Sequence, residues 1–240
     1  MTDRQSSPAI TLIDTDALRI SVVPHQSDSA VLCFSGIGHQ IGGVDIQTEE
    51  FFNASQNATS IFICDKKRSW GNNLDFAAIA ELLAPHTAGK TLYALGNSMG
   101  GFIAIVSGLF FDLRSVVAFC PQYSVKPAII AEDRWQAYIN DIGDWRYPSL
   151  ENVFRESTQY YVFGALSSKD KKHLSRLPHL PNLHCIFFRD PGIGHQEAKR
   201  LKREGLLYPV IADCFNRVAP QNIIESKLAR LPEGAYLASD

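Results

Sequence analysis

The sequence predicts an α/β fold, with a mostly parallel central sheet and helices on both of its faces. Three observations predict it: apolar runs of strand length alternate with segments of helical pattern, two of these runs are continuously apolar, and another meets a long apolar segment at a glycine-flanked serine. Alternating strands and helices favour parallel strands whose carboxyl ends meet at one edge of the sheet. With 240 residues, of which 45% are hydrophobic, the chain fits a single globular domain over residues 1–240.

The first strand-like runs lie near the start of the chain. Residues 9–14 and 17–23 flank an Asp/Thr turn, which predicts an antiparallel hairpin at an edge of the sheet. Residues 30–34 and 60–64 are continuously apolar, as in parallel strands covered on both faces. Between these two strands, residues 44–55 are predicted to form a crossover helix.

Two helices and one strand follow. Residues 74–83 are predicted to form a helix that is ended by Pro85 and Gly89. Residues 91–95 have the length and composition of a strand. The segment 99–111 is too long for an ordinary strand and is apolar nearly all round, which is typical of a buried helix.

The alternation of strands and helices continues to residue 216. The predicted elements are a strand at 115–120, a strand at 160–163, a helix at 170–177, a strand at 183–188 and a long amphipathic helix at 196–216. Only the interval 122–157 interrupts this order. It is rich in aromatic residues, among them Tyr123, Trp135, Tyr138, Trp145 and Tyr147.

Ser98 lies at the junction between the predicted strand 91–95 and the buried helix, in the sequence Gly-Asn-Ser-Met-Gly. A strand can turn this abruptly into a helix only if the side chains at the corner are small, and Gly96 and Gly100 meet that need. The helix that follows presents backbone N–H groups with positive partial charge, which favour an oxyanion. The alternative is a glycine-rich turn in which the serine only caps the helix.

This strand, serine and helix resemble the nucleophile elbow of the α/β-hydrolases. The resemblance covers about residues 30–216 and points to the serine esterases and thioesterases of that superfamily. It implies a Ser-acid-His triad in that chain order, with Ser98 as the nucleophile.

The resemblance also implies a place for the other two members of the triad. His195 alone among the later histidines lies in a glycine-rich loop just past the last strand, where the family places its catalytic histidine. Asp170 follows the strand 160–163 and is the candidate acid, a few residues later than is usual in the family. It is alternatively the N-cap of the next helix. Asp190 is the reserve candidate.

Acyl transfer needs donors for the developing oxyanion, and the family takes them from two backbone N–H groups. By resemblance these belong to Met99, directly after the nucleophile, and to Ile37, in the loop after the strand 30–34. Ser35 stands where the family often has histidine, but this replacement leaves the backbone donor intact.

The interval 122–157 lies where α/β-hydrolases commonly insert a cap, so we expect a small helical lid over the pocket. The alternative is an ordinary crossover helix whose aromatic residues pack on the body of the protein. The candidate pocket residues are His39, Trp70, Tyr123, Trp135 and Trp145.

Composition limits the partners and the compartment. A formal net charge of −2 and a pI near 6.4 give no electrostatic reason to expect nucleic acid or an anionic membrane as a partner. The longest apolar stretch, 102–111, is too short to span a bilayer, and the N-terminus lacks the apolar core of a secretory signal. Five cysteines without C-x-x-C spacing indicate reduced, buried thiols, and hence a cytoplasmic protein.

The leading hypothesis is a serine hydrolase that cleaves a carboxylic ester or thioester, in a small or acylated substrate, through an acyl-enzyme on Ser98. An acyltransferase that uses the same intermediate is the alternative enzyme, and a catalytically silent binding module of the same fold is the alternative outside catalysis. No motif for a metal ion or another cofactor is present, so none is expected. The oligomeric state is open.

Overall fold

The computed structural model describes residues 9–41, 44–166, 168–189, 195–231 and 234–237. Its strands are β1 (Ile10–Asp14), β2 (Leu18–Val23), β3 (Ser29–Phe34), β4 (His39–Ile41), β5 (Val44–Ile46), β6 (Thr59–Asp65), β7 (Thr91–Asn97), β8 (Leu113–Phe119), β9 (Gln159–Ala165), β10 (Leu183–Phe188) and β11 (Ala235–Leu237). Its α-helices are α1 (Phe76–Thr87), α2 (Met99–Ser107), α3 (Gln136–Ile139), α4 (Lys171–Leu174), α5 (Glu197–Arg203), α6 (Leu207–Phe215) and α7 (Pro220–Ser226).

The main sheet confirms the predicted fold class. Within the described ranges it has nine strands, in the order β1-β2-β6-β3-β7-β8-β9-β10-β11. The six strands from β6 to β10 in this order are parallel, and β1 and β2 form the predicted antiparallel hairpin at one edge. The opposite edge is closed by β11, which runs antiparallel to β10 and which the sequence pattern did not predict.

Apolar side chains cover both faces of this sheet. On one face α1 and α2 pack with buried residues such as Phe76 and Phe102, joined by Ile139 and Leu150 from the interval between β8 and β9. On the other face α6 and α7 bury apolar residues, among them Val210. The sheet is therefore covered on both sides, which is why its central strands read as continuous apolar runs in the sequence.

The prediction of a crossover helix at residues 44–55 is wrong. This part of the chain holds the short strand β5 and a 3₁₀ helix, Phe52–Gln56. Side chains between them bind the loop after β3: the Gln47 amide donates to the Gly36 carbonyl at 2.8 Å, and the Glu50 carboxylate accepts from the Gly36 N–H at 2.9 Å. These bonds hold the segment against that loop, and tertiary contacts of this kind override a weak local helical pattern.

The predicted helix at 196–216 is two helices, α5 and α6. Gly205 separates them with a φ of 71°, a left-handed conformation that favours glycine. Its N–H donates to the Lys202 carbonyl at 3.1 Å, and the N–H of Leu206 donates to the Leu201 carbonyl at 2.8 Å. These two bonds form a Schellman motif, which ends a helix by satisfying its last carbonyls.

Two other helix boundaries differ from the prediction. Helix α1 continues through Pro85 to Thr87, because proline near the end of a helix removes only one bond and Ala88 still donates to the Ala84 carbonyl at 3.0 Å. The helix expected at 170–177 is shorter, a 3₁₀ turn (Ser168–Asp170) followed by α4.

All five cysteines have free thiols, as the sequence pattern predicts. Burial raises the pKa of Cys64 to about 11 and that of Cys185 to about 12, which keeps both in the unreactive thiol form. None of the helices in the described part of the chain combines the length and the apolar character that crossing a bilayer needs.

Candidate active site

Ser98 occupies the corner between β7 and α2 in a conformation that non-glycine residues rarely adopt. Its φ is 56° and its ψ is −123°. Such a conformation costs about 1–3 kcal/mol and persists only where the surrounding structure enforces it. Part of that enforcement is the hydrogen bond from the Ser98 N–H to the Phe119 carbonyl, 2.8 Å long, which ties the corner to the end of β8.

The glycines beside Ser98 leave no space for a side chain. A Cβ atom on Gly96 would lie 2.1 Å from the carbonyl oxygen of Gly100, and one on Gly100 would lie 2.2 Å from the carbonyl oxygen of Phe34. Both distances are far below van der Waals contact. Only glycine lets the start of α2 pack this closely against β7 and β3.

The side chain of Ser98 is directed to a histidine and not to the helix. Ser98 stands at the N-cap position of α2, but its hydroxyl makes no capping hydrogen bond. Its Oγ lies 2.8 Å from Nε2 of His195. The alternative interpretation of Ser98 as a simple helix cap therefore does not hold.

The second ring nitrogen of His195 meets a buried carboxylate. Nδ1 lies 2.8 Å from Oδ2 of Asp170, whose exposed fraction is 2%. Asp170 precedes α4, yet its side chain does not cap that helix. The three residues that the sequence pointed to thus form a continuous series of hydrogen bonds, whereas Asp190 lies outside the described residues.

Asp170 has a second charged partner that the sequence analysis missed. Nη1 of Arg134 lies 2.8 Å from Oδ1, the carboxylate oxygen of Asp170 that does not face His195. The same guanidinium donates twice, through Nε and Nη2, to the carboxylate of Glu132, each time at 2.9 Å. Glu132 in turn lies 2.8 Å from Nε2 of His173, on α4. Its side chain is fully buried.

These contacts keep both carboxylates ionised. Burial by itself raises the pKa of Asp170, but the hydrogen bonds and charges of His195 and Arg134 outweigh it and hold this pKa below its usual value. In the same way, His173 and Arg134 overcome the effect of burial and lower the pKa of Glu132. Asp170 therefore carries its negative charge next to His195 at neutral pH.

Gln122 is a further neighbour of Ser98 that sequence reasoning did not single out. It follows β8 and is fully buried. Its Nε2 lies 3.2 Å from Oγ of Ser98, and its Oε1 accepts a hydrogen bond of 2.9 Å from the indole N–H of Trp70. The available signal was its position: Gln122 is the first polar side chain after the strand that neighbours β7.

The loop after β3, residues 35–37, lies beside the Ser98 corner. A Cβ on Gly36 would be 3.1 Å from the Asn97 carbonyl, so the two backbones are close. Glu50 and Gln47 hold Gly36 on one side, and Nε of Arg68 donates to the Ile37 carbonyl at 2.9 Å on the other. The predicted donor residues Ile37 and Met99 thus flank the same corner.

Glu50 is a titratable group that contacts this loop through the Gly36 N–H. Burial raises its pKa to about 7, although the hydrogen bond from the Gly36 N–H acts in the opposite direction. Its protonation therefore changes near neutral pH, directly beside the loop that contains Ile37.

The predicted pocket residues lie at different distances from this centre. The ring centroid of Trp135 is 5.8 Å from that of His195 and 5.7 Å from that of Trp70. Trp70 is fully buried. Tyr123 and Trp145 are half-buried and pack against the core of the α1 and α2 face. The side chain of His39 lies outside what the structure describes.

A buried cysteine and a buried glutamate lie behind the histidine. Sγ of Cys120, the Asp170 carboxylate and His195 have ligand-type atoms within 4.8 Å of one another, the one such group in the part of the chain that is described. The Cys120 thiol donates to Glu197. Burial, followed by the Glu197 charge, raises the pKa of this thiol well above its usual value, which disfavours the thiolate that a metal ion requires.

Comparison with solved structures identifies the architecture. An alpha-beta serine hydrolase homologue from Coxiella burnetii has a TM-score of 0.51 at 8% identity, over 91% of this chain and 100% of that one. A serine hydrolase without a lid from Xanthomonas campestris has a TM-score of 0.51 at 14% identity, over 90% and 96%. The chain has the α/β-hydrolase fold.

A transferase of known structure shares this fold. The capsule O-acetyltransferase of Neisseria meningitidis serogroup A has a TM-score of 0.50 at 16% identity, over 68% of this chain and 76% of that one. No protein-family model matches the sequence, and no curated protein does. Hydrolases and a transferase share this architecture, so the fold alone does not separate the two reactions.

The α/β-hydrolase fold explains why residues far apart in sequence meet. Ser98 follows β7, Asp170 follows β9 and His195 follows β10, and these strands are parallel members of one sheet. The loops at their carboxyl ends consequently converge on one edge. Sequence spacings of 72 residues between Ser98 and Asp170 and of 25 between Asp170 and His195 are bridged in this way.

Proposed function

We propose that the protein is a serine hydrolase that cleaves a carboxylic ester or thioester through an acyl-enzyme on Ser98. The observation that carries the proposal is the series of 2.8 Å contacts from Ser98 to His195 and from His195 to Asp170. A serine hydroxyl is a poor nucleophile until a neighbouring base removes its proton, and a third group must orient that base. The three side chains have the mutual geometry that these roles need.

In the proposed first half-reaction, Oγ of Ser98 attacks the carbonyl carbon while its proton passes to Nε2 of His195. Asp170 accepts the hydrogen bond from Nδ1–H and stabilises the imidazolium that forms. The N–H groups of Met99 and Ile37 stabilise the oxyanion. Each donor of this kind contributes about 3 kcal/mol of barrier lowering in well-studied enzymes.

The intermediate then collapses and the leaving alcohol or thiol takes the proton from His195. Water enters, gives a proton to Nε2 and attacks the acyl carbon. When the second intermediate collapses, the bond to Oγ breaks and His195 returns the proton to Ser98. The products are a carboxylic acid and the alcohol or thiol, so every proton is accounted for.

Covalent labelling tests this proposal directly. The wild-type protein should react with a fluorophosphonate probe at Ser98, and hydrolysis of esters and thioesters of graded acyl length should identify the preferred substrate class. Ser98→Ala should keep the fold and lose labelling and turnover, the latter by about a million-fold in the most thoroughly studied case. Turnover that survives in purified, folded Ser98→Ala would contradict the assignment.

An acyltransferase with the same acyl-enzyme is the second candidate. Two observations favour it: Ser98 is only 5% exposed, and Trp135 from the interval between β8 and β9 packs against His195. A covered site slows the access of water to the acyl-enzyme, which lets an alcohol compete for it. The fold similarity to the capsule O-acetyltransferase is compatible with this reaction.

The partition of the acyl group separates the two enzymes. With an acyl substrate and increasing alcohol, a hydrolase should release mainly carboxylic acid, whereas a transferase should release mainly the new ester. A protein that fails to react with the fluorophosphonate would instead favour the binding-module alternative.

The interval 122–157 is part of the same proposal. We propose that it covers the pocket and shapes substrate preference, since Arg134 and Trp135 contact Asp170 and His195. Helix α3, four residues long, is the α-helix within it.

A further inference from the structure

We infer that Gln122 is a catalytic residue that donates a hydrogen bond to the nucleophile and so directs the Ser98 proton to His195. The inference rests on the proposed function and extends it to a group outside the triad and the oxyanion donors. Its observations are the 3.2 Å contact from Nε2 of Gln122 to Oγ of Ser98 and the complete burial of the amide.

The orientation of the Gln122 amide follows from its partners. The indole N–H of Trp70 is a donor only, so the atom that faces it at 2.9 Å must be the amide oxygen. The NH₂ group then faces Oγ of Ser98 and the carbonyl oxygen of Cys120, the latter at 3.3 Å. A flipped amide would oppose its oxygen to the Cys120 carbonyl and its NH₂ to the indole N–H. The first contact would place two acceptors together and the second two donors, so neither would be a hydrogen bond and the flipped orientation is disfavoured.

Trp70 is itself held in place by burial and by hydrogen bonds to the residues on either side of it. Its side chain is fully buried, and its loop is bound by the carboxylate of Asp65 at the end of β6. Oδ2 of Asp65 accepts from the N–H of Ser69 at 2.8 Å and from the N–H of Gly71 at 3.1 Å. The fixed indole therefore makes the amide orientation a built feature of the site.

The consequence for Ser98 is directional. Because an N–H of Gln122 occupies one lone pair of Oγ, the hydroxyl hydrogen of Ser98 is left for Nε2 of His195. The same N–H stabilises negative charge on Oγ whenever the Oγ–H bond or the bond to the acyl carbon breaks. Gln122 should thus accelerate both the formation and the breakdown of the acyl-enzyme.

Gln122→Glu is the sharpest test, because it preserves shape and still offers Trp70 an acceptor. An ionised carboxylate cannot donate to Ser98, whereas a protonated carboxyl group can. We expect fluorophosphonate labelling of this variant to be about tenfold slower than that of wild type at high pH, and the ratio of the two rates at each pH to approach one as pH falls and the new carboxyl group is protonated.

Two further variants complete the design. Gln159→Glu makes the same chemical change at the amino end of β9, beside His184, whereas the site lies at the carboxyl ends of the strands. This variant should keep the wild-type rate and pH profile. Trp70→Phe removes the indole N–H without adding charge and should slow labelling severalfold, because the amide is then free to turn. Circular dichroism establishes that each variant is folded, and if Gln122→Glu does not fold, Trp70→Phe provides the test.

The outcomes are distinct. Labelling of wild type at Ser98, together with wild-type rates and pH profiles in folded Gln122→Glu and Trp70→Phe, would overturn this inference and leave the proposed function standing. Absence of labelling in wild type would overturn the proposed function and this inference with it. If labelling of Gln122→Glu is slower than that of wild type by the same factor at every pH, Gln122 has a packing role only, and this result would also overturn the inference.

Discussion

The two sides of the site are held in place by different forces. At the Ser98 corner, backbone atoms lie so close together that no side chain fits on Gly96, which meets Gly100, or on Gly100, which meets Phe34. At the acid, Asp170 is held by the guanidinium of Arg134, which is 36 residues away in sequence. Steric exclusion fixes the nucleophile, and ion pairing fixes the acid.

This difference determines how each side responds to change. Close packing of backbone does not depend on pH, and it fails only when atoms are added. The ion pairs around Asp170 depend on the charge of every partner, and the loss of one leaves another buried charge without compensation.

Gly96→Ala should have the largest effect. The added methyl group would lie 2.1 Å from the Gly100 carbonyl oxygen, and neither backbone segment can move without disrupting the corner. We expect a loss of more than about 4 kcal/mol in the free energy of unfolding, or failure to fold. Urea denaturation measures it.

Gly143→Ala is the matched control for that experiment. A Cβ at Gly143 has no atom within 4 Å, so the same substitution should leave stability near the wild-type value. If Gly96→Ala is as stable as Gly143→Ala, steric exclusion does not hold the corner.

Arg134→Met should have the next largest effect. It leaves the buried carboxylates of Glu132 and Asp170 without their shared guanidinium, and breaking a buried ion pair from one side costs about 3–5 kcal/mol. Urea denaturation at neutral pH measures the change. Lys169→Met removes the exposed pair with Asp133 and should leave stability almost unchanged. Equal stability of the two variants would contradict the role given to Arg134.

The acid side should also make stability dependent on pH. The pKa of Asp170 is lower in the folded protein than its usual value of 3.8, so the folded state binds this proton less readily than the unfolded state. The stabilisation is present above the unfolded pKa and is lost as pH falls through the folded pKa. Unfolding of wild type and Asp170→Asn, followed from about pH 5 to about pH 3, should show the steeper loss in wild type. Parallel curves would argue against this linkage.

The smallest effect concerns the aromatic cover. Trp135 lies against His195, so Trp135→Ala should change substrate preference severalfold through KM. Trp145 packs against the core and lies under the ammonium group of Lys126, 5.9 Å from its ring centroid, so Trp145→Ala should affect preference less. Measuring kcat/KM of both variants on a panel of esters ranks them. The reverse order would move the pocket away from Trp135.

The features of this protein that depend on local chemistry could be predicted from the amino-acid sequence. Apolar runs of strand length placed the parallel strands, and the glycines beside Ser98 placed the corner, because steric limits act between near neighbours in the chain. Resemblance to a known chain order then pointed to Asp170 and His195. The structure brings both to Ser98 through hydrogen bonds of 2.8 Å.

The surroundings of those residues could not be predicted, because they depend on contacts between distant parts of the chain. Arg134, Glu132 and His173 form their network, and Gln122 meets Trp70, because different loops converge on one edge of the sheet. The segment 44–55 also depends on distant contacts, because Gln47 and Glu50 bind the loop after β3. The local sequence pattern of the segment contains no information about that loop. The energy of a buried polar contact depends on the partner that folding supplies. A sequence pattern specifies each side chain but not that partner.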